Sequence, residues 1–495
     1  MDSVLAILYL SIFFLTILLV KLFQHKSHKS NQLPPGPRPW PILGNLVSIL
    51  GSKTPPHITF ANLARAHGGL MLLWLGQKPL VVVSDKEAAV EVLKTHDRVL
   101  SGRSITVSFR FREKTEYSLV WADCNDYWKL LRRILRTEIF SPKMLKIQER
   151  VREQKVTELM ELMRSSEGKE VTIRPLVFGT ILNILGNAVF SKDMFELGGR
   201  GDKVGLEQLI RELLTIGSTP NIAAFFPIFE KLDPQRLKKR TWERLVKIDK
   251  LWESIVKERR QQERSEECKD MLDVLLANDF TDPQIDNIFL ETFGPGSESS
   301  SATVEWVMSE LIKNPQTFAK LRQELDNEFG QSKVITGSRL TNLPFLSAVI
   351  KETMRLHPAI PFMLPHRAVE TCEVMGYTIP KDMEIQLNAY AIGRDPKAWK
   401  DPNTFRPERF LESDIDYQGN HFELIPFGAG RRVCPGLPLA VKNTPLIVSS
   451  LVHGFDWSLP DGLTHDQLQM NEVLSVALTK DPSLCLIPKV RIWAS

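Results

Sequence analysis

The hydrophobic pattern changes character several times along this chain, and each change predicts a different kind of element. Val4 to Val20 is one uncharged run rich in Leu, Ile and Phe, prolonged by Leu22 and Phe23 beyond Lys21. That length matches what a helix needs to cross a bilayer. Asp2 in place of a basic start, and no small-x-small cleavage site, favour a retained anchor over a cleaved signal peptide. Lys21, Lys26 and Lys29 follow directly, and the positive-inside tendency then puts the body in the cytosol. Pro34-Pro35-Gly36-Pro37-Arg38-Pro39-Trp40-Pro41 reads as a stiff, extended hinge. The expected organisation is an anchor over 1–23, a basic and proline-rich hinge over 24–41, and a body over 42–495.

Inside the body, Leu70 to Leu75 and Leu80 to Val83, parted by Gly76 and Pro79, predict a small hairpin. From there to about Lys351 the apolar positions recur three and four apart, the spacing of helices. Residues 265–270 form a charged loop. Strand patterns return near 373–380 and 383–388. A long stretch from Arg394 to Phe427, rich in proline and aromatic residues, needs something to pack around. The fold class expected is mainly α with small β-sheets, in one large domain.

Composition narrows this only a little. With 495 residues, 43% of them hydrophobic, a large core can be buried. A net charge of +4 is too mild to argue for nucleic acid. Cys124, Cys268, Cys372, Cys434 and Cys485 are far apart, with no CxxC pair and no zinc spacing. Scattered free thiols suit a reducing compartment.

The chemistry concentrates in Phe427-Gly428-Ala429-Gly430-Arg431-Arg432-Val433-Cys434-Pro435-Gly436. A thiolate in a glycine-rich bend can ligate a metal, and the glycines let a flat partner approach the backbone. Cysteine-held haem fits, because the sulfur pushes electron density onto iron and favours O–O cleavage. A buried, inert cysteine is the alternative for the motif alone. Glu352 and Arg355 are three apart on one helix face, either as a solvated pair or as the start of a lock that Arg409 completes. Trp128 and Arg132 share a face suited to donating hydrogen bonds to an acidic group.

In this order the anchor, hinge, W-x-x-x-R, E-x-x-R, P-E-R-F and F-x-x-G-x-R-x-C-x-G pieces resemble the cytochrome P450 superfamily of haem-thiolate monooxygenases. The resemblance implies haem b with Cys434 as the axial iron ligand. It implies that Trp128, Arg132, His366 and Arg432 grip the haem propionates, and that Glu352, Arg355 and Arg409 hold the haem loop. It further implies electrons from NADPH through a separate cytochrome P450 reductase, since no G-x-G-x-x-G signature is present. The expected location is the endoplasmic reticulum membrane, single-pass, with the catalytic domain facing the cytosol. Lys129, Arg133 and Arg136 are candidates for docking the reductase, or an ordinary solvated face.

The oxygen-activation motif departs from the family pattern, reading Pro295-Gly296-Ser297-Glu298-Ser299-Ser300. Glu298 keeps the acid and Ser299 a hydroxyl, so both are expected to serve proton delivery. Serine lacks the β-branch that limits threonine rotamers, so its hydroxyl is less firmly aimed. Pro295 has no N–H for the Glu291 carbonyl, so the helix is expected to open there, as a structural kink or a functional one. The strings ETFGPGSESSSATVEW, RTEIFSPKML, DMLDVLLANDF, VETCEVMGYTIPKDM and NAYAIGRDPKAW are similar to the plant family of berbamunine synthase, corytuberine synthase and N-methylcoclaurine 3'-hydroxylase.

That family implies a small aromatic alkaloid as substrate, and phenol coupling or ring hydroxylation as the reaction. A haem-binding protein without catalysis is the remaining alternative. By analogy the pocket is drawn from 104–119, 206–226, 287–293, 359–364 and 473–479, with Glu116 as counter-ion for a substrate amine or else exposed.

Overall fold

The hairpin forms as the alternation predicts. Leu70–Leu75 (β1) pairs antiparallel with Lys78–Val83 (β2), which begins two residues before the apolar run, around a turn at Gly76 with φ +63°. Three short strands complete the sheet: Gly102–Arg103 (β3), His366–Arg367 (β4) and Glu384–Leu387 (β5), in the order β1-β2-β5-β4-β3. β5 runs parallel to β2, and β4 is antiparallel to both β5 and β3. Both faces of the hairpin are buried. Met71, Leu73, Leu80 and Val82 pack with Phe60, while Leu70, Leu72, Val81 and Val83 join a second cluster. That is why these strands read as near-continuous apolar runs.

The structure, a computed structural model, describes residues 33–198, 201–202, 205–261, 270–332 and 334–492, together with Tyr9, Ser11, Phe13 and Thr16. Apart from those four positions, the anchor expected over 1–23 lies outside the described residues. So do residues 24–32 of the hinge and 265–269 of the charged loop. The described part of the hinge lies along the sheet: Leu72 donates its N–H to Pro35 O at 2.8 Å, and Asn45 Nδ2 reaches Pro37 O at 3.2 Å. A Cβ on Gly36 would sit 1.9 Å from Leu72 O, so only glycine permits this approach.

The helices used below are Pro56–His67 (α1), Asp126–Ile134 (α2), Glu149–Ser165 (α3), Ile173–Phe190 (α4), Leu206–Ser218 (α5), Leu237–Gln261 (α6), Asp282–Lys313 (α7), Pro344–Leu356 (α8) and Leu437–Gly454 (α9). Among the described residues α4 is the helix long and apolar enough to cross a membrane, but most of it is buried in the core, packed along α7. It is a core helix, apolar all round for that reason. α7 starts at a capping box in which Thr281 and Gln284 satisfy each other's backbone. Phe289 and Phe293 lock it to Phe190 of α4 and Trp252 of α6, with Phe293 stacked on both at 5.4 and 5.3 Å. The helix stays continuous across Pro295. The opening expected there is confined to the one hydrogen bond that proline cannot donate, because neighbouring elements hold both flanks.

Glu352 and Arg355 on α8 are not a solvated pair. Both are buried, and Arg355 grips both carboxylate oxygens at 2.7 and 2.9 Å. Arg409 Nε adds a bond to Glu352 Oε1 at 3.0 Å, and the Arg406 backbone N–H another at 2.8 Å. The two guanidiniums spend their other N–H groups on the carbonyls of Gly393, Lys400, Asp401, Pro402 and Thr404. The proline-rich coil therefore packs around this ion set. Glu352→Gln should lower the unfolding free energy by about 3–5 kcal/mol, since it strands two buried cations. Lys320→Ala, which breaks an exposed pair with Glu408, should cost under about 1 kcal/mol. Urea denaturation of the two variants checks the contrast.

Candidate functional site

The loop before α9 is shaped by hydrogen bonding and by glycine. Cys434 N–H donates to Phe427 O at 2.8 Å, turning the loop back on itself. Gly430 has φ +64°, and a Cβ there would stand 2.2 Å from Leu93 O. The Cys434 thiol lies just ahead of α9, where the backbone N–H groups of Gly436 and Leu437 and the Arg132 guanidinium favour its thiolate. Burial outweighs them and pushes the thiol pKa up. A thiolate here needs a further positive charge, which a metal ion ligated by the sulfur supplies.

Beside the loop stands a group of cations that the protein does not neutralise. Arg103 Nη1 donates to Leu364 O at 2.6 Å, while its Nε is buried without a hydrogen-bond partner. Arg132 donates to Val433 O at 2.8 Å. Arg432 donates to the carbonyls of Ser101, Leu119 and Ala122 at 2.9, 3.4 and 2.6 Å. These partners are all neutral. Burial and then Arg432 depress the Arg103 pKa to about 9. Burial and then Arg103 hold the His366 imidazole pKa well below its usual value. Its Nδ1 donates to Leu100 O at 2.7 Å, which leaves Nε2 for another partner. Buried, like-charged groups facing neutral carbonyls fit a dianionic ligand edge.

The fold brings these residues in from distant parts of the chain. Arg103 and His366 are opposite each other across the β3–β4 register. α2 is started by Asn125, which accepts the Trp128 N–H at 2.8 Å. It turns Trp128 and Arg132 inward and exposes Lys129 and Arg133, with exposed Arg136 just beyond its end. Trp128 Nε1 donates to Leu119 O at 2.9 Å, and both Arg132 and Arg432 lie over its ring, at 5.5 and 4.8 Å from the centroid. Its indole N–H is thus spent on the loop, and its contribution is to place the two guanidiniums.

The opposite wall is α7. Glu291, Pro295 and Ser299, spaced four apart, keep accessible surface in mid-helix, while Phe293, Gly294, Ser297 and Glu298 are buried. That stripe is the side of α7 that the packing of its neighbours leaves open. The segments expected to line the pocket do converge. Leu478 N–H reaches Ala359 O at 2.8 Å, and Asn287 Nδ2 reaches Glu113 O at 3.5 Å. A methyl on Gly217 would touch Phe109 and Val476 at 3.5 and 3.6 Å. One on Gly428 would reach the sulfur of Met363 at 3.9 Å, linking these walls to the cysteine loop.

Two expected partners are separated. Ser299 Oγ, on the open stripe, donates to Pro295 O at 2.7 Å, so its hydroxyl is aimed by the carbonyl one turn back. Glu298 points to α4, where Arg174 Nη1 lies at 3.2 Å and bridges on to the buried Glu305 at 3.3 Å. For Glu116 the exposed alternative holds: its side chain is 55% exposed and paired with Arg112 at 3.7 Å. Sequence reasoning missed Arg103, Arg174 and Glu291. Only Glu291 carried a signal, its spacing of four from Pro295 and eight from Ser299.

A cysteine at a helix start, a cationic cradle and the open stripe of a long helix fit a flat, dianionic, thiolate-ligated cofactor. The profile of the family "Cytochrome P450" matches residues 34–486. This chain belongs to the cytochrome P450 family. Members carry haem, take electrons from a redox partner and are typically membrane-bound. The chain is 61% identical to corytuberine synthase of Coptis japonica over 464 residues, 94% of this chain and 95% of that one. It is 48% identical to berbamunine synthase of Berberis stolonifera and 48% to a probable (S)-N-methylcoclaurine 3'-hydroxylase of Coptis japonica. Each of these likenesses spans 98% of this chain and 99% of the relative.

Arg103→Gln should weaken haem retention about 10- to 100-fold, the loss of one charge-assisted contact of about 1.5–3 kcal/mol. The rate of haem transfer to a scavenging globin measures it. The exposed Arg133→Gln should leave that rate unchanged.

Proposed function

We propose that this P450 is an alkaloid phenol-coupling oxidase, acting on benzylisoquinolines at the endoplasmic reticulum with NADPH electrons passed by a separate reductase. The carrying observation is the 61% identity to corytuberine synthase over nearly the whole chain. In this reading Cys434 is the axial ligand, Arg103, Arg132, His366 and Arg432 hold the propionates, and Trp128 stacks beneath the two arginines. When bound, the haem supplies an oxidant derived from dioxygen. The chain's own task is to hold two phenol rings within bonding reach in a water-poor, apolar cavity. The phenols lose two hydrogens and join, NADPH supplies two electrons, and dioxygen leaves as two waters.

Ser299 is the cavity hydroxyl suited to passing protons, and Glu298 stands behind it in a paired state with Arg174. Exposed Lys129, Arg133 and Arg136, on and just beyond α2, suit an acidic electron donor. Exposed Trp40, Ile42, Leu43, Val47 and Leu50 follow the hinge and suit a body resting on the membrane that holds the 1–23 anchor. Ring hydroxylation is the second reading, favoured by the 48% identity to the 3'-hydroxylase and by retention of both Glu298 and Ser299.

The test offers N-methylcoclaurine and reticuline enantiomers to membranes holding this protein and a reductase. Coupling gives loss of two hydrogens or dimers without label from heavy dioxygen; hydroxylation gives one labelled oxygen. Cys434→Ser should abolish both the thiolate-haem spectrum and turnover. Ser299→Thr should lower peroxide yield per NADPH, because the β-branch restricts the hydroxyl; equal yields would refute the assignment of Ser299.

A further inference from the structure

We propose that Glu291 is the counter-ion that selects substrates carrying a protonated amine, an inference that rests on the alkaloid function proposed above. Glu291 lies on the open stripe of α7, one turn before Pro295 and two turns before Ser299. Its carboxylate accepts hydrogen bonds from Ser118 Oγ and from the backbone N–H groups of Leu119 at 2.8 Å and Val120 at 3.3 Å. These donors are neutral, and among the described residues Glu291 makes no ion pair. Two other carboxylates, one on α7 and one on the 112–115 helix end, differ: Glu298 is matched by Arg174 and Glu116 by Arg112.

Other charged and titratable groups near Glu291 are few. Arg432 stands near enough to lower its pKa, but its hydrogen bonds among the described residues go to the carbonyls of Ser101, Leu119 and Ala122 and not to Glu291. Tyr127 of α2 has a buried hydroxyl without a partner, and burial, then Glu291 and Tyr117, push its pKa up. Burial dominates at Glu291 and raises its pKa to about 7, against its three donors and Arg432. This is a carboxylate on the open stripe of α7, held in place and short of positive charge. An ammonium group brought by a ligand supplies that charge, and a neutral ligand does not.

The position also sets the direction of the bound ligand. Eight residues of helix separate Glu291 from Ser299, ~12 Å along the axis. A cation anchored by its nitrogen at Glu291 extends its aromatic rings past Pro295 toward the Ser299 hydroxyl. The three loop bonds have a second consequence. They tie residues 118–120, which also contact Trp128 and Arg432, to the group that binds the amine.

Equilibrium dialysis of the haem-loaded protein against a benzylisoquinoline tertiary amine and its uncharged N-acyl counterpart tests this. Glu291→Gln should weaken amine binding at pH 8 by tenfold or more and leave the N-acyl ligand within about twofold. For the pH series between 8 and 6 the ligand is the N,N-dimethyl quaternary analogue, whose charge does not titrate. Wild-type affinity for it should be flat above pH 7 and fall toward tenfold per unit below, as Glu291 takes up a proton; Glu291→Gln should be flat throughout. Glu116→Gln, which removes an exposed carboxylate paired with Arg112, should leave the amine-to-acyl ratio unchanged. Equal weakening of both ligands by Glu291→Gln, or none, would overturn the inference and leave the function standing. If wild type binds neither ligand, the alkaloid reading itself fails and this inference with it.

Discussion

Glu352 carries a negative charge with no exposed surface, and much of the chain after α8 is arranged so that the charge is never alone. Two guanidiniums and a backbone amide meet it, and those guanidiniums then reach five carbonyls between residues 393 and 404. The coil they gather has few backbone partners of its own, so the ion set substitutes for a sheet or helix. A hydrophobic cluster of the same volume can match its stability, but it cannot fix the direction of five carbonyl groups. The coil leads into Phe427 and the cysteine loop, so the position of Cys434 depends on this lock.

The cofactor side shows the opposite arrangement. There the protein buries cations and leaves them facing neutral oxygen atoms, with one guanidinium nitrogen unpartnered. Where the chain completes its own charges, the result is a rigid scaffold. Where it leaves them incomplete, folding stability is surrendered for affinity toward a ligand of the missing sign. The depressed pKa values of Arg103 and His366 are two signs of one electrostatic deficit. In the proposed reading, haem carboxylates brought to this edge would relieve both.

The sequence made one kind of feature legible and hid another. Cys434, Arg432, Glu352, Arg355 and Arg409 lie in short strings whose spacing reflects local geometry, and the β1–β2 hairpin shows in simple alternation. Arg103 is different. Nothing in Ser101-Gly102-Arg103-Ser104 marks it, because its role comes from a β-bridge to His366, over 260 residues away. Arg174 was hidden for the same reason, lying on a helix whose composition reads as core. Glu116 stayed open between counter-ion and surface residue, because sequence does not say which way a short loop helix faces. Glu298 and Ser299 were read as one unit since they are adjacent, yet adjacent helical residues point about 100° apart.

That separation bears on how a single cofactor supports different reactions. An acid behind the helix and a hydroxyl in front of it form a relay only if a side chain turns or water joins them. Pro295 sits between, with its carbonyl accepting from Ser299 and its missing N–H leaving the Glu291 carbonyl without the usual helical donor. Glu291 thus has two faces to satisfy, a backbone oxygen freed by proline and a carboxylate tied to the 118–120 loop. The proline thus stands between the two positions to which the proposals above assign proton passing and amine binding. A reaction that only removes hydrogen tolerates looser proton timing than one that inserts oxygen, and it demands tighter placement of the rings. Positioning through Glu291 and aim through Ser299 are the two quantities this helix trades, within one continuous α7.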